Sequence, residues 1–207
     1  MKQTRLIAAI AVSALLPLWA TTASADSHAS RGYGPSKVRV GVTDIDPTKN
    51  GGDVERVKSN AAVTFNAVYM INDNIGVELL AATPFQHDII VGGANIGDTK
   101  HLPPTLSGQY YFNNESKFTP YVGLGLNYTY FFSETTSLGG GDLKLDPSFG
   151  LAYQIGVDYA LDDNWLLNLD IRKIDIESDW EIDGGATASG VAKIDPTLIG
   201  INIGYRF

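Results

Sequence analysis

Hydrophobic and polar side chains alternate with a period of two along most of this chain, most cleanly at its carboxy terminus. Thr197, Ile199, Ile201, Ile203, Tyr205 and Phe207 form one rank there, and Leu198, Gly200, Asn202, Gly204 and Arg206 the other. A strand points successive side chains to opposite faces, whereas a helix gathers its apolar residues every three or four positions. The pattern therefore predicts a strand with one greasy face and one small, polar face. Eight such segments follow one another, at roughly 38–45, 61–71, 75–85, 103–112, 119–132, 148–161, 165–176 and 194–207.

The connections between them alternate in length. Asn72, Asp73 and Asn74 alone separate the second and third segments, Asp162, Asp163 and Asn164 the sixth and seventh, and residues 113–119 the fourth and fifth. The other connections are longer, about 15 residues each, and rich in Gly, Asp, Ser and Thr, a composition of turns and loops. Short and long connections thus fall at opposite ends, and an even number of strands returns both termini to the short-turn end. The fold class predicted is all-β: an eight-stranded antiparallel transmembrane barrel with short periplasmic turns and four longer extracellular loops.

The two ranks decide which face meets lipid. The apolar rank holds Val63, Phe65, Ala67 and Tyr69; Ile75, Val77, Leu79 and Ala81; Val122, Leu124, Leu126, Tyr128 and Tyr130; Leu151, Tyr153, Ile155, Val157 and Tyr159; and Trp165, Leu167, Leu169 and Ile171. None is charged, as a barrel wall requires where a midplane charge costs about 2–4 kcal/mol. The opposite rank carries Thr64, Asn66, Ser107, Gln109, Asn127, Gln154 and Asn168, several glycines, and all the mid-strand charges. A soluble lipocalin-type barrel inverts this arrangement. Tyr69, Tyr110, Phe112, Tyr159, Trp165, Tyr205 and Phe207 cluster beside the short turns, and Phe85, Tyr130, Phe132 and Phe149 beside the long loops. Two aromatic belts at the membrane interfaces account for this distribution.

The amino terminus agrees with export. Lys2 and Arg5 precede an apolar run at 6–18, and Ala23, Ser24 and Ala25 offer a small-residue cleavage site. The expected organisation is a cleaved signal peptide at 1–25, a flexible periplasmic segment at 26–36 and the barrel at 37–207. Losing Lys2 and Arg5 leaves 13 basic against 23 acidic side chains, a formal charge of −10 where the full chain carries −8. Such a balance argues against nucleic acid as a partner. Cysteine is absent, so neither disulfides nor thiolate metal sites are available.

Three runs carry a family resemblance: Val77 to Phe85 (Val-Glu-Leu-Leu-Ala-Ala-Thr-Pro-Phe), His101 to Leu106 (His-Leu-Pro-Pro-Thr-Leu) with Gln109-Tyr110-Tyr111-Phe112, and Pro120 to Phe132 (Pro-Tyr-Val-Gly-Leu-Gly-Leu-Asn-Tyr-Thr-Tyr-Phe-Phe). They resemble the OmpW family of outer-membrane proteins, which includes the AlkL-type hydrocarbon importers. The resemblance implies a porin-like barrel in the outer membrane of a Gram-negative bacterium, surrounded by lipid and lipopolysaccharide. It also implies passage of small hydrophobic molecules with lateral release through the wall. The carboxy-terminal strand ending in Phe207 resembles the signal by which such barrels engage the barrel-assembly machinery.

The residues also permit a mechanism to be framed. Arg39, Glu78, Asp158 and Arg206 are expected low in the lumen, with Asp170 and Arg172 near or above its middle, as a balanced charge plug. Above them the inward rank turns apolar at Leu80, Pro84, Phe131, Ile174 and Leu198, with Trp180 in the last long loop as a lid; this is the expected ligand channel. The alternative is that these residues only fill the barrel. Pro84 ends the third strand and Pro103 and Pro104 begin the fourth, where missing amide donors are expected to leave a lateral window.

No catalytic residue, metal ligand or cofactor site is assigned. His28 falls in the amino-terminal segment and His87 in the second long connection; only His101 lies beside a strand, where His-Leu-Pro-Pro supplies no serine, and Gly139, Gly140 and Gly141 precede no helix. The chain is read as a non-enzyme. A nontransporting structural, adhesive or receptor barrel remains the alternative to transport.

Overall fold

A computed structural model describes residues 35–47, 51–52, 60–91, 94–136, 142–183 and 188–207. The expected signal peptide, most of the segment at 26–36, His28 and the three consecutive glycines lie outside these residues. The described strands are β1 (Ser36–Pro47), β2 (Gly51–Gly52), β3 (Asn60–Met70), β4 (Ile75–Ala82), β5 (Phe85–Val91), β6 (Ala94–Leu102) and β7 (Thr105–Tyr111). They continue with β8 (Phe118–Thr136), β9 (Asp142–Leu145), β10 (Ser148–Ala160), β11 (Trp165–Ile174), β12 (Glu177–Asp183), β13 (Ala188–Lys193) and β14 (Pro196–Arg206).

Eight of these strands close a ring in the order β1, β3, β4, β7, β8, β10, β11, β14 and back to β1, every neighbour antiparallel. Closure satisfies both edges of every strand, which lipid demands because it offers no water to an unpaired amide. Period-two alternation then sorts the side chains. In β7, Thr105, Ser107, Gln109 and Tyr111 are buried while Leu106, Gly108 and Tyr110 are exposed. The outer surface is correspondingly apolar, from Phe65 and Leu79 through Leu124, Ile155 and Leu169 to Ile201. Aromatic pairs brace it near both ends. Trp165 stacks edge-on against its ladder partner Tyr205 at 5.1 Å, Phe118 against Tyr159 at 4.7 Å, and Tyr128 against Phe149 at 5.2 Å.

The long connections carry strands of their own beyond the ring. β5 and β6 form a hairpin whose second strand pairs with the upper part of β8. β2, β13, β12 and β9 form a separate four-stranded sheet. Glycine, serine and aspartate in these segments read locally as turns; β5–β6 and β12–β13 are hairpins within one connection, whereas β9 and β2 find their partners, β12 and β13, in a different one. Strand ends shift for a related reason. β4 stops at Ala82 and β7 starts at Thr105, because Pro84, Pro103 and Pro104 have no amide to donate to the ladder.

Two short turns share one construction. Asn72 Oδ1 accepts the amides of Asn74 and Ile75 at 2.9 and 2.8 Å, and Asp162 Oδ1 accepts those of Asn164 and Trp165 at 2.9 and 2.7 Å. The last asparagine of each turn then grips the neighbouring strand end. Asn74 takes the Tyr111 amide on its carbonyl and donates Nδ2 to the Tyr111 carbonyl, and Asn164 treats Arg206 in the same way. The turns thus fasten the short-turn rim across β4–β7 and β11–β14.

The two amides received by the exposed Asp162 carboxylate hold its pKa below the ordinary aspartate value. A carboxyl with a lowered folded pKa stabilises the fold above its unfolded pKa and loses that contribution as pH falls through the folded value. Amide-exchange protection at Asn164 and Trp165 is therefore expected to drop on acidification in the parent protein and to stay level in D162N. Equal acid sensitivity in both would show that the carboxylate does not hold this turn.

Candidate functional site

Every strand of the ring contributes at least one polar side chain to a layer across the lumen. Asp158 on β10 receives Lys37 Nζ at 2.9 Å, Arg39 Nη2 at 2.9 Å and Asn168 Nδ2 at 2.8 Å. Arg39 Nη1 donates to Glu78 Oε2 at 3.2 Å, and Arg172 Nη2 donates to Glu78 Oε1 at 2.7 Å and to Asp170 Oδ2 at 3.0 Å. Gln154 joins the group through Asp170 at 2.8 Å and accepts from Gln109 at 3.0 Å. Tyr111 accepts from Arg39 Nη2 at 3.0 Å, and Tyr121 accepts from Asn168 Nδ2 at 3.0 Å. Asn202, Thr64 and Thr43 complete the ring on β14, β3 and β1.

Glu78 and Asp158 are fully buried. Removing one member of a buried ion pair costs about 3–5 kcal/mol, so their survival inside the barrel depends on these partners. Five of the six charges expected in the plug, Arg39, Glu78, Asp158, Asp170 and Arg172, are joined in this one network. Arg206 is buried at the short-turn rim, with its backbone gripped by Asn164. The sequence reading missed Lys37, whose ammonium also lies 3.7 Å from the Tyr111 ring centre, and it missed Tyr111 and Tyr121 themselves. Lys37 stands one position before the segment read as a strand, but its parity with Arg39 was a usable signal. Gly156 makes room for the network, since a Cβ there would approach the Tyr121 ring to 2.4 Å.

Above this layer lies an apolar cluster. Leu80, Phe131, Ile174, Leu198 and Trp180 are all buried. Pro84 is exposed, which corrects its placement in the channel: the chain leaves β4 after Ala82, and alternation no longer fixes which way a side chain points. Ile45, Ala62, Leu145, Ala152, Ile176 and Ala192 join the cluster around Phe131, Ile174, Trp180 and Leu198. Leu145, Ile176 and Ala192 were hidden from a reading that treated their neighbourhood as loop or strand end. Trp180 sits in β12 opposite Leu145, and its buried Nε1 has no hydrogen-bond partner among the described residues.

Beside the cluster the wall is interrupted. The β4–β7 ladder ends at the pair Leu80–Thr105, and pairing resumes between β5 and β6 at Phe85–His101. Ala81, Ala82, Thr83 and Pro84 on one side and Leu102, Pro103 and Pro104 on the other have no ladder partner across this seam. Their outer neighbours continue: Ala82 pairs with Thr64 on β3, the Thr83 amide donates to Val63 O at 3.0 Å, and Leu102 pairs with Tyr130 on β8. Pro103 is buried and Pro104 exposed. The ladders on either side of the β4–β7 seam thus continue past the point where it opens. Among the described residues no group of three or more His, Asp or Glu is placed to hold a metal ion.

Comparison with known proteins gives this architecture its context. The OmpW family model matches residues 34–207. Outer membrane protein W of Vibrio cholerae is 43% identical over 189 residues, covering 82% of this chain and 87% of that protein. Outer membrane protein AlkL of Ectopseudomonas oleovorans is 28% identical over 183 residues, covering 83% of this chain and 79% of that one. The crystal structure of OprG from Pseudomonas aeruginosa superposes with a TM-score of 0.77 at 33% identity, over 86% of this chain and 98% of that one. With its closed eight-stranded wall, its lipid-facing outer rank and a family match across the whole barrel, the chain belongs to the OmpW family of outer-membrane proteins.

Proposed function

We propose that this chain passes small hydrophobic molecules through the outer membrane and releases them sideways, through the seam between β4 and β7, into the surrounding lipid. The observation that carries the reading is the juxtaposition of three features in one barrel: a polar layer across the lumen, an apolar cluster above it, and a ladder interruption beside that cluster. An eight-stranded barrel has an interior only wide enough for side chains or one small ligand. A molecule that enters from the long-loop end thus meets charge below and an unpaired stretch of wall to the side. Leaving through that stretch keeps it in apolar surroundings, whereas crossing the charged layer would require separating buried ion pairs. The likeness to AlkL supports the same direction of reading.

Replacing Pro103 and Pro104 with pairing-competent residues, as in P103T combined with P104V, is expected to reduce cellular uptake of a small alkane probe to the level of cells lacking the protein. Unchanged uptake at equal protein abundance would remove the seam from the route.

The polar layer generates a second expectation. In planar bilayers the parent protein should show no large steady ion conductance. D158A, which leaves Lys37 and Arg39 without their shared carboxylate, should lose about 3–5 kcal/mol of stability and conduct more. A large steady conductance in the parent would contradict a closed layer.

A further inference from the structure

The interrupted seam is braced on its β7 side by one buried side chain. Asn127 on β8 stands opposite Thr105 in the ladder, at the last pair before the proline break. It is fully buried, as are Thr105 and Thr129. Its Nδ2 lies 3.2 Å from the Pro103 carbonyl, 3.2 Å from the Pro104 carbonyl and 3.0 Å from Thr105 Oγ1, while Thr129 Oγ1 donates to its Oδ1 at 2.7 Å. The amide is thereby oriented, with its hydrogens toward the prolines and its oxygen toward the threonine.

The two proline carbonyls have separate fates. The Pro104 carbonyl accepts the Tyr128 amide at 3.0 Å, so it points toward β8 and continues the ladder on that side. In a regular strand the next carbonyl points to the opposite neighbour, here β4. The Pro103 carbonyl instead accepts from two lumen side chains, Asn127 and Thr105, the latter at 3.2 Å. An acceptor that β4 could have used to close the seam is engaged inside the barrel.

We propose that Asn127 is the positioning residue of the lateral exit: its side-chain amide holds the Pro103 carbonyl turned into the lumen and so keeps β7 from zipping onto β4 above Leu80. This rests on the lateral-release reading for its functional meaning, though the clasp itself is a statement about the seam. The chemistry is specific to a carboxamide. Aspartate would set a carboxylate against two carbonyl oxygens, and alanine would remove the amide donor from both carbonyls, leaving only Thr105 Oγ1 on that of Pro103. Either change loosens the hold on the Pro103 carbonyl and lets it compete for a donor across the seam.

The test uses a cysteine pair. Because Leu80 pairs with Thr105, continued zipping in the same register would bring Thr83 opposite Leu102. The chain has no cysteine of its own, so a disulfide between T83C and L102C reports that closure unambiguously. The pair is introduced into the parent and into N127A and N127D, each folded into phospholipid vesicles without cargo, and the rate of disulfide formation is followed under a mild oxidant. Loss of the clasp is expected to raise the rate roughly fivefold, the population shift that one net hydrogen bond supports. Rates equal to the parent's, in variants that keep the heat-dependent gel mobility of a folded barrel, would overturn the proposal. Should neither variant fold, T129V decides the matter: it frees the orientation of the Asn127 amide while leaving that residue in place. A faster rate in T129V supports the clasp, and a parental rate overturns it. Since no cargo is present, these rates judge the clasp alone, and the uptake of P103T/P104V judges the exit separately.

Discussion

In hydrocarbon an unpaired backbone amide or carbonyl costs several kcal/mol, and this constraint shapes the whole molecule. A ring of eight antiparallel strands answers it by giving every edge a neighbour. The same constraint makes the interrupted β4–β7 seam informative. Around Pro103 and Pro104 the groups displaced from the ladder are met by side chains: Asn127 and Thr105 serve the Pro103 carbonyl, and Asn127 reinforces the Tyr128 amide at Pro104. On the β7 side the break is thus compatible with a membrane wall, because the Pro103 carbonyl has partners inside the barrel.

Ring size sets the second level of organisation. Eight strands enclose a lumen that side chains can fill, and here charge and aromatic hydroxyls fill one level of it while aliphatic and aromatic carbon fills the next. The charged level is a cross-brace. Arg39 reaches from β1 to Glu78 on β4 and Asp158 on β10, and Arg172 reaches from β11 to Glu78, so opposite parts of the wall are tied through their side chains. Buried ion pairs gain little over a well-packed apolar core, and their value lies in fixing one arrangement. On the route proposed above, that arrangement closes the direct axial path and leaves the side of the apolar cluster as the exit.

Much of this was legible in the residues because a transmembrane strand writes both of its environments into alternate positions. The eight ring strands, the aromatic braces and five members of the charged network follow from parity and turn spacing alone. The small sheet does not, since β9 pairs with β12 and β13 with β2, contacts between different long connections that no local pattern encodes. Pro84 was misplaced because parity fails where the chain leaves its ladder. Tyr111 and Tyr121 share the rank of the inward Gln109 and Gly123, but an aromatic ring at a strand end carries no local mark that separates a lumen brace from a belt residue. Asn127 was visible as an inward residue, but its hold on two carbonyls depends on the β7–β8 register, which becomes known only when the ring is closed.

If apolar cargo leaves through the seam between β4 and β7, closing that seam covalently must stop it. The most direct measurement is uptake of a small alkane by cells carrying the T83C/L102C protein, compared between the oxidised, bridged form and the same cells after reduction. Bridging is expected to abolish protein-dependent uptake, and reduction to restore it. Equal uptake in the bridged and reduced states, with the bridge verified, would contradict the account and move the exit elsewhere.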